Sequence, residues 1–75
     1  MVIAMQYLVL IEEGDTGFGA YVPDLPGCIA AAASRDEVLS LIQEAIEFHI
    51  EGMRDHGDPI PRPASTAQVV NVVAA

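Results

Sequence analysis

Between Arg35 and Asp55 lies the one stretch of this chain whose apolar residues recur with the spacing of a long helix, and the rest must fold beneath it. Ser34 marks the start, because a serine hydroxyl accepts a hydrogen bond from an unpaired first-turn amide and Glu37, three residues on, can reach back. At about 100° per residue, Val38, Leu39, Leu41, Ile42, Ala45, Ile46, Phe48, His49, Ile50 and Met53 fall on one side. Ser40, Gln43, Glu44, Glu47, Glu51, Arg54 and Asp55 fall on the other. His56, Gly57 and Pro59 write the stop: a cation-capable group at the carbonyl end, a residue free to turn left-handed, and a proline that cannot continue. At roughly 1.5 Å per residue the rod is about 30 Å long, and its wide apolar stripe requires a sheet.

Seventy-five residues make one small domain, taken as residues 1–75, and a lone domain of that size is only marginally stable. Self-association would help it. The formal net charge is −8, and the cationic side chains are Arg35, Arg54 and Arg62, with no lysine. Nucleic acid is bound by releasing counterions to clustered Lys and Arg, so no direct nucleic-acid binding is expected; a basic protein partner fits better. Cys28 is the single cysteine, which excludes an internal disulfide and a thiolate metal cluster within one chain. The apolar start from Met1 to Ile11 lacks a basic leader and is too short to span a bilayer. A cytoplasmic location is expected.

Met5–Glu12 reads as a first strand, followed by a turn-rich stretch, Glu13-Gly14-Asp15-Thr16-Gly17. Tyr7, Val9 and Ile11 share one face, yet the other still carries Leu8 and Leu10. A second strand places Phe18, Ala20 and Val22 on one face and Gly19 and Tyr21 on the other, until Pro23 removes a ladder donor. Pro23-Asp24-Leu25-Pro26-Gly27 is a compact corner, and Cys28–Ala33 is a third strand of small side chains, Ile29 followed by four alanines. After the helix, prolines at 59, 61 and 63 favour an extended connector. Thr66–Val73 reads as a final strand, with Val69 and Val73 opposed to Val70 and Val72. The order β-β-β-α-β gives an α+β fold with one helix on one face, the last strand crossing over to lie beside the first. One helix covers one face only, so Leu8, Leu10 and part of the last strand need cover from another chain.

No chemical motif survives inspection. His49 lies in the helix's apolar stripe, where a histidine is ordinarily satisfied by a backbone carbonyl, and His56 is seven residues away, about 10 Å along the axis, too far to share one ion. Neither metal nor cofactor is expected. Cys28 lacks a local base and reads as a small buried residue. Gly14, Gly17 and Gly19 sit in a hairpin and not between a strand and a helix start, so they are turn and bulge residues and not a phosphate cradle. The strand order is also that of ribonuclease H-like nucleases, but Leu8-Val9-Leu10 carries no acid, and Glu44, Glu47 and Glu51 face away from the sheet. No enzyme is expected.

The run Tyr21-Val22-Pro23-Asp24-Leu25-Pro26-Gly27-Cys28, a short strand, a Ser-capped acidic helix and Ile60-Pro61-Arg62-Pro63 together resemble the HicB family of antitoxins, from about Met5 to Ser65. The resemblance implies a partial ribonuclease H-like fold without nuclease activity. It implies a partner as well, a small basic RNA-cleaving HicA toxin, and assembly as dimers or larger homo-oligomers. Two departures stand out: Ala32-Ala33 replaces a usual Gly-Asp pair before the cap, and Val69–Ala75 stands where many relatives carry a DNA-binding module. Direct promoter contact is therefore not expected of these residues. Glu12, Glu13, Asp15 and Asp24 are the candidate partner contacts, and Pro23 to Cys28 is the structural motif. The rival readings are a self-associating scaffold without a toxin and an enzyme centred on His49.

Overall fold

The computed structural model describes residues 5–74. The first four residues of the apolar start therefore lie outside the described part. The described chain is α+β: strands β1 (Leu10–Glu13), β2 (Phe18–Tyr21) and β3 (Ile29–Ala32), then one helix, α1 (Arg35–His56). The strands form an antiparallel meander in the order β1-β2-β3. Leu10 stands opposite Tyr21 and Glu13 opposite Phe18, while Phe18 also meets Ala32 and Tyr21 meets Ile29.

The hairpin between β1 and β2 closes through the Gly14 amide donating to the Gly17 carbonyl at 2.8 Å. Gly17 is there for space and not for an unusual φ. A Cβ built on it would stand 2.5 Å from the Ala32 carbonyl oxygen, so only glycine lets the hairpin lie against the end of β3. After β2 the corner turns on three backbone bonds: Leu25 N–H to Val22 O, Cys28 N–H to Leu25 O and Val22 N–H to Cys28 O, at 3.1, 3.1 and 3.2 Å. Gly27 supplies the positive φ, 85°, that the turn requires.

The helix begins and ends as its sequence prescribes. Glu37 N–H donates to Ser34 Oγ at 3.2 Å, and the same hydroxyl donates to Glu37 Oε1 at 3.1 Å. At the other end Gly57 adopts φ 73°, its N–H bonding Arg54 O and the Asp58 N–H bonding Met53 O. His56 Nδ1–H donates to Gly52 O at 2.8 Å, a further partner for the last carbonyls. The core comprises Ala20, Val22, Leu25, Cys28, Val38 and Ile42, with Leu25 and Val38 wholly buried. Around it Tyr7, Val9, Ile11, Phe18, Ala30, Ala32, Ala45, Ile46, Ile50 and Met53 pack half-buried, so α1 lies against β2 and β3. The alanines of β3 allow that close approach.

Three expectations need correction. The strand expected over Thr66–Val73 is absent: residues 58–74 carry no regular secondary structure, because their backbone finds no strand partner among the described residues. The four late valines are 70 to 99% exposed. The first strand starts at Leu10 instead of Met5, since β2 ends opposite Leu10 and the Pro23 corner carries the chain away from the segment before it. The apolar stripe of α1 is also narrower than its spacing suggested. Leu41 and Phe48 sit on its flank beyond the reach of a three-stranded sheet, and Phe48 is 79% exposed.

Candidate partner-binding surface

Strand alternation sorts the sheet into two faces. Ile11, Ala20 and Ala30 are in register and turn toward α1, where all three join the core cluster. The neighbouring row, Leu10, Tyr21 and Ile29, turns to the opposite face, followed by Glu12, Gly19 and Ala31. No element of the described chain covers that face. Ile29 is 70% exposed and Tyr21 is exposed, while Leu8 and Leu10 remain half-buried. Apolar side chains aligned across three strands and open to water are the feature a partner protein covers.

The hairpin supplies a charged rim. Glu12, Glu13 and Asp15 are all exposed, and the two glutamates line a cleft of about 570 Å³ with Thr16, Phe18 and Ala31. The alternation puts Glu12 beside the apolar row and Glu13 on the side of α1, so the acids border the open face from its end. Glu44, Glu47 and Glu51 stand exposed on the outer side of α1.

Asp24 stands apart from these three. It lies in the corner at the far end of β2, and its carboxylate is already engaged with the chain after the helix. Oδ2 accepts the Ala64 and Ser65 amides, each at 2.9 Å, and Oδ1 accepts the Ser65 hydroxyl at 2.8 Å. The Ser65 amide, the Ala64 amide and the Ser65 hydroxyl, in that order, hold the Asp24 carboxyl below the usual aspartate range. The Tyr7 hydroxyl donates to the Pro61 carbonyl, a second tie on the same connector. Burial, then the nearby Asp24 carboxylate, pushes the Tyr7 phenol up.

Sequence reasoning missed this pair of anchors, although a signal for them was present. Prolines at 59, 61 and 63 have no N–H, so Ala64 and Ser65 carry the first consecutive amides after them, and Asp24 takes both. Cys28 is buried at 3% exposure beneath the corner, and burial pushes its thiol up, away from the thiolate a nucleophile needs. His49 is half-buried on α1. Among the described residues no three His, Cys, Asp or Glu side chains converge as a metal site would require, and no helix is long and apolar enough to cross a membrane.

These features define a small α+β domain with one sheet face closed by a helix and the other left open beside the acidic hairpin residues. Residues 7–74 match the profile of a family described as HicB_like antitoxin of bacterial toxin-antitoxin system. The chain belongs to that family. It is 37% identical over 67 residues to an uncharacterised 14.9 kDa protein of Haemophilus phage HP1, a match covering 89% of this chain and 50% of the phage protein. It is 28% identical over 75 residues to Antitoxin HicB 2 of Photorhabdus laumondii, covering 95% of this chain and 54% of that one. The chain thus spans about half the length of these two relatives. Among solved structures it resembles a chain of a HicA3 and HicB3 toxin-antitoxin complex, with TM-score 0.68, 32% identity and coverage of 80% of this chain and 70% of the other.

Proposed function

We propose that this chain is an antitoxin that binds a small basic RNA-cleaving toxin of the HicA type and neutralises it by occlusion, covering the surface the toxin offers to RNA. The observation that carries the reading is the open sheet face, where exposed Tyr21 and Ile29 lie in one row with half-buried Leu10, beside Glu12. A basic protein that grips phosphates presents clustered cations, and an acidic rim around an apolar centre complements it in charge and in burial. The likeness to a chain from a complex of HicA3 with HicB3 supports the same partner class.

Binding and not catalysis is the mode of action, and no cofactor or metal takes part. Glu12, Glu13 and Asp15 are the rim residues that meet the toxin's cations. Asp24 adds charge at the corner, though its oxygens are held by Ala64 and Ser65. The Pro23 to Cys28 run acts from below, by seating Leu25 in the core. Self-association as a dimer or tetramer belongs to the same reading, as does residence in the cytoplasm with the toxin. Arg35, Arg54 and Arg62 are spread along the chain, so nucleic acid is reached through the toxin and not directly.

The test is calorimetric binding of the cognate toxin at low and high salt, comparing the native chain with a Glu12→Gln, Glu13→Gln, Asp15→Asn variant. Exposed interfacial charges contribute roughly 0.2–1 kcal/mol each, so the variant should bind on the order of tenfold more weakly at low salt. It should also lose much of the salt dependence. Equal affinity and equal salt dependence for the two proteins would remove the hairpin acids from the interface.

A further inference from the structure

The free edge of β1 and the segment after the connector are each incomplete, and each has what the other lacks. Residues 6–9 continue β1 toward the N-terminus without a ladder partner among the described residues, since β2 ends opposite Leu10. Between that segment and the helix runs a groove of about 560 Å³, walled by Met5, Tyr7 and Val9 on one side and Leu39, Gln43 and Ile46 on the other, with the Glu47 carboxylate at its margin, where an uncharged strand adds no repulsion. Residues 66–74 have strand composition and no strand partner among the described residues, and Val69, Val70, Val72 and Val73 are exposed by 88, 70, 79 and 99%.

Charge narrows the choice of occupant. All 11 acidic residues lie between Glu12 and Asp58, so both Met5–Ile11 and Ala64–Ala74 are free of charge. Two copies that each carry −8 repel over most of their surfaces, and these two segments are where they can meet without that cost. The anchors decide whose segment enters the groove. The connector touches Tyr7 at Pro61 but has moved on to Asp24 in the corner by Ala64 and Ser65. From there to Ala74 no glycine or proline allows a tight reversal, and the β-branched residues hold the chain extended. The radius of gyration is 14.6 Å, with a longest axis of 51 Å, whereas a compact chain of this length has about 11 Å.

We propose that residues 66–73 of one copy lie as a strand along the free edge of β1 in a second copy, filling the groove over Leu39 and Ile46, and that the second copy returns the exchange. Twofold symmetry makes every contact twice. The added strand supplies the partner that residues 6–9 lack, seats two valines over the helix, and leaves the Leu10, Tyr21 and Ile29 row on the other face free for the toxin. The inference rests on the self-association in the proposed reading and gives it a mode; it needs no toxin to be tested.

The experiment mixes isotope-labelled and unlabelled native chain and records isotope-filtered NOEs between valine methyls and the Leu39 and Ile46 methyls. Light scattering gives the mass of the native chain and of a Val70→Asp, Val72→Asp variant. The expected result is NOEs between labelled and unlabelled chains, a native mass at least twice the 8.0 kDa of one chain, and a fall to 8.0 kDa in the variant with its helical circular dichroism retained. Three results overturn the proposal: a monomeric native chain, valine contacts arising only within one chain, or contacts that appear only when toxin is added. An assembly that survives both aspartates overturns it as well. Toxin binding is read separately, so losing this exchange leaves the antitoxin reading standing or falling by its own assay.

Discussion

Replacing Leu25 by alanine should reveal how much of the fold hangs on the Pro23 to Cys28 corner. Leu25 is wholly buried although it lies in a turn flanked by exposed Pro23 and Pro26, and around it stand Val22 and Cys28, at 2 and 3% exposure. Leu25→Ala removes three carbons, at about 0.8 kcal/mol of transfer free energy per buried methylene, and leaves a cavity that the three backbone hydrogen bonds of the corner keep from collapsing. The cost should reach about 3–5 kcal/mol. A domain of 75 residues has a total stability of roughly 4–11 kcal/mol, so the loss is a large share of the whole. Urea unfolding followed by far-ultraviolet circular dichroism, at fixed protein concentration, measures it. Pro26→Ala is the control: its side chain is exposed, and its cost should stay under about 1 kcal/mol. If Leu25→Ala loses less than about 1 kcal/mol, or if Pro26→Ala loses more than Leu25→Ala, the corner does not anchor the core and its residues act elsewhere.

Gly17→Ala should destabilise the chain by about 1–3 kcal/mol, because its Cβ would meet the Ala32 carbonyl oxygen at 2.5 Å; Gly14→Ala, with its nearest contact at 3.8 Å, serves as the comparison in the same urea titration. Asp24→Asn should raise the exchange rates of the Ala64 and Ser65 amides at neutral pH, measured by hydrogen exchange. Because the folded carboxyl is held below the ordinary aspartate value, the stability it contributes is present above that value and is lost as the pH falls through the lower, folded one. The difference between native and Asp24→Asn chains should therefore shrink on acidification below about pH 4, and a difference that widens there would refute the tie. The Cys28 thiol, buried and pushed up, should react with a disulfide reagent only as fast as the chain opens, so urea below the unfolding transition should leave it protected.

Much of the architecture was legible in the sequence because it is written in local terms. The 3.6-residue spacing, Ser34 with Glu37, and Gly57 before Pro59 fix α1 to within one residue of its expected end. Alternation in Phe18, Ala20 and Val22, cut off by Pro23, locates β2 and its buried face. The one-helix, two-faced mismatch foretold an uncovered sheet face, but not its residues: Leu8 and Leu10, which it named, are half-buried, and the exposed side chains are Tyr21 and Ile29.

What escaped depends on contacts far apart in the chain. Thr66–Val73 has every local mark of a strand, yet a strand exists only with a hydrogen-bonded neighbour, and it has none among the described residues. Leu41 and Phe48 match the helical period, but a sheet of three strands is too narrow to cover both flanks of α1. Glycine at 17 looked like turn chemistry, while its reason is a carbonyl fifteen residues later. The candidate contacts divided for the same cause. Glu12, Glu13 and Asp15 stayed together because one hairpin carries them, whereas Asp24 met partners forty residues away that no local pattern names.

The central claim is neutralisation by occlusion, and the most direct measurement is the rate at which the purified cognate toxin cleaves RNA as this chain is titrated in. The account predicts that cleavage stops at a fixed ratio of chain to toxin, that RNA no longer binds the toxin at that ratio, and that raising the salt restores cleavage in step with dissociation of the complex. Cleavage that continues at the native rate while the complex is intact would contradict it.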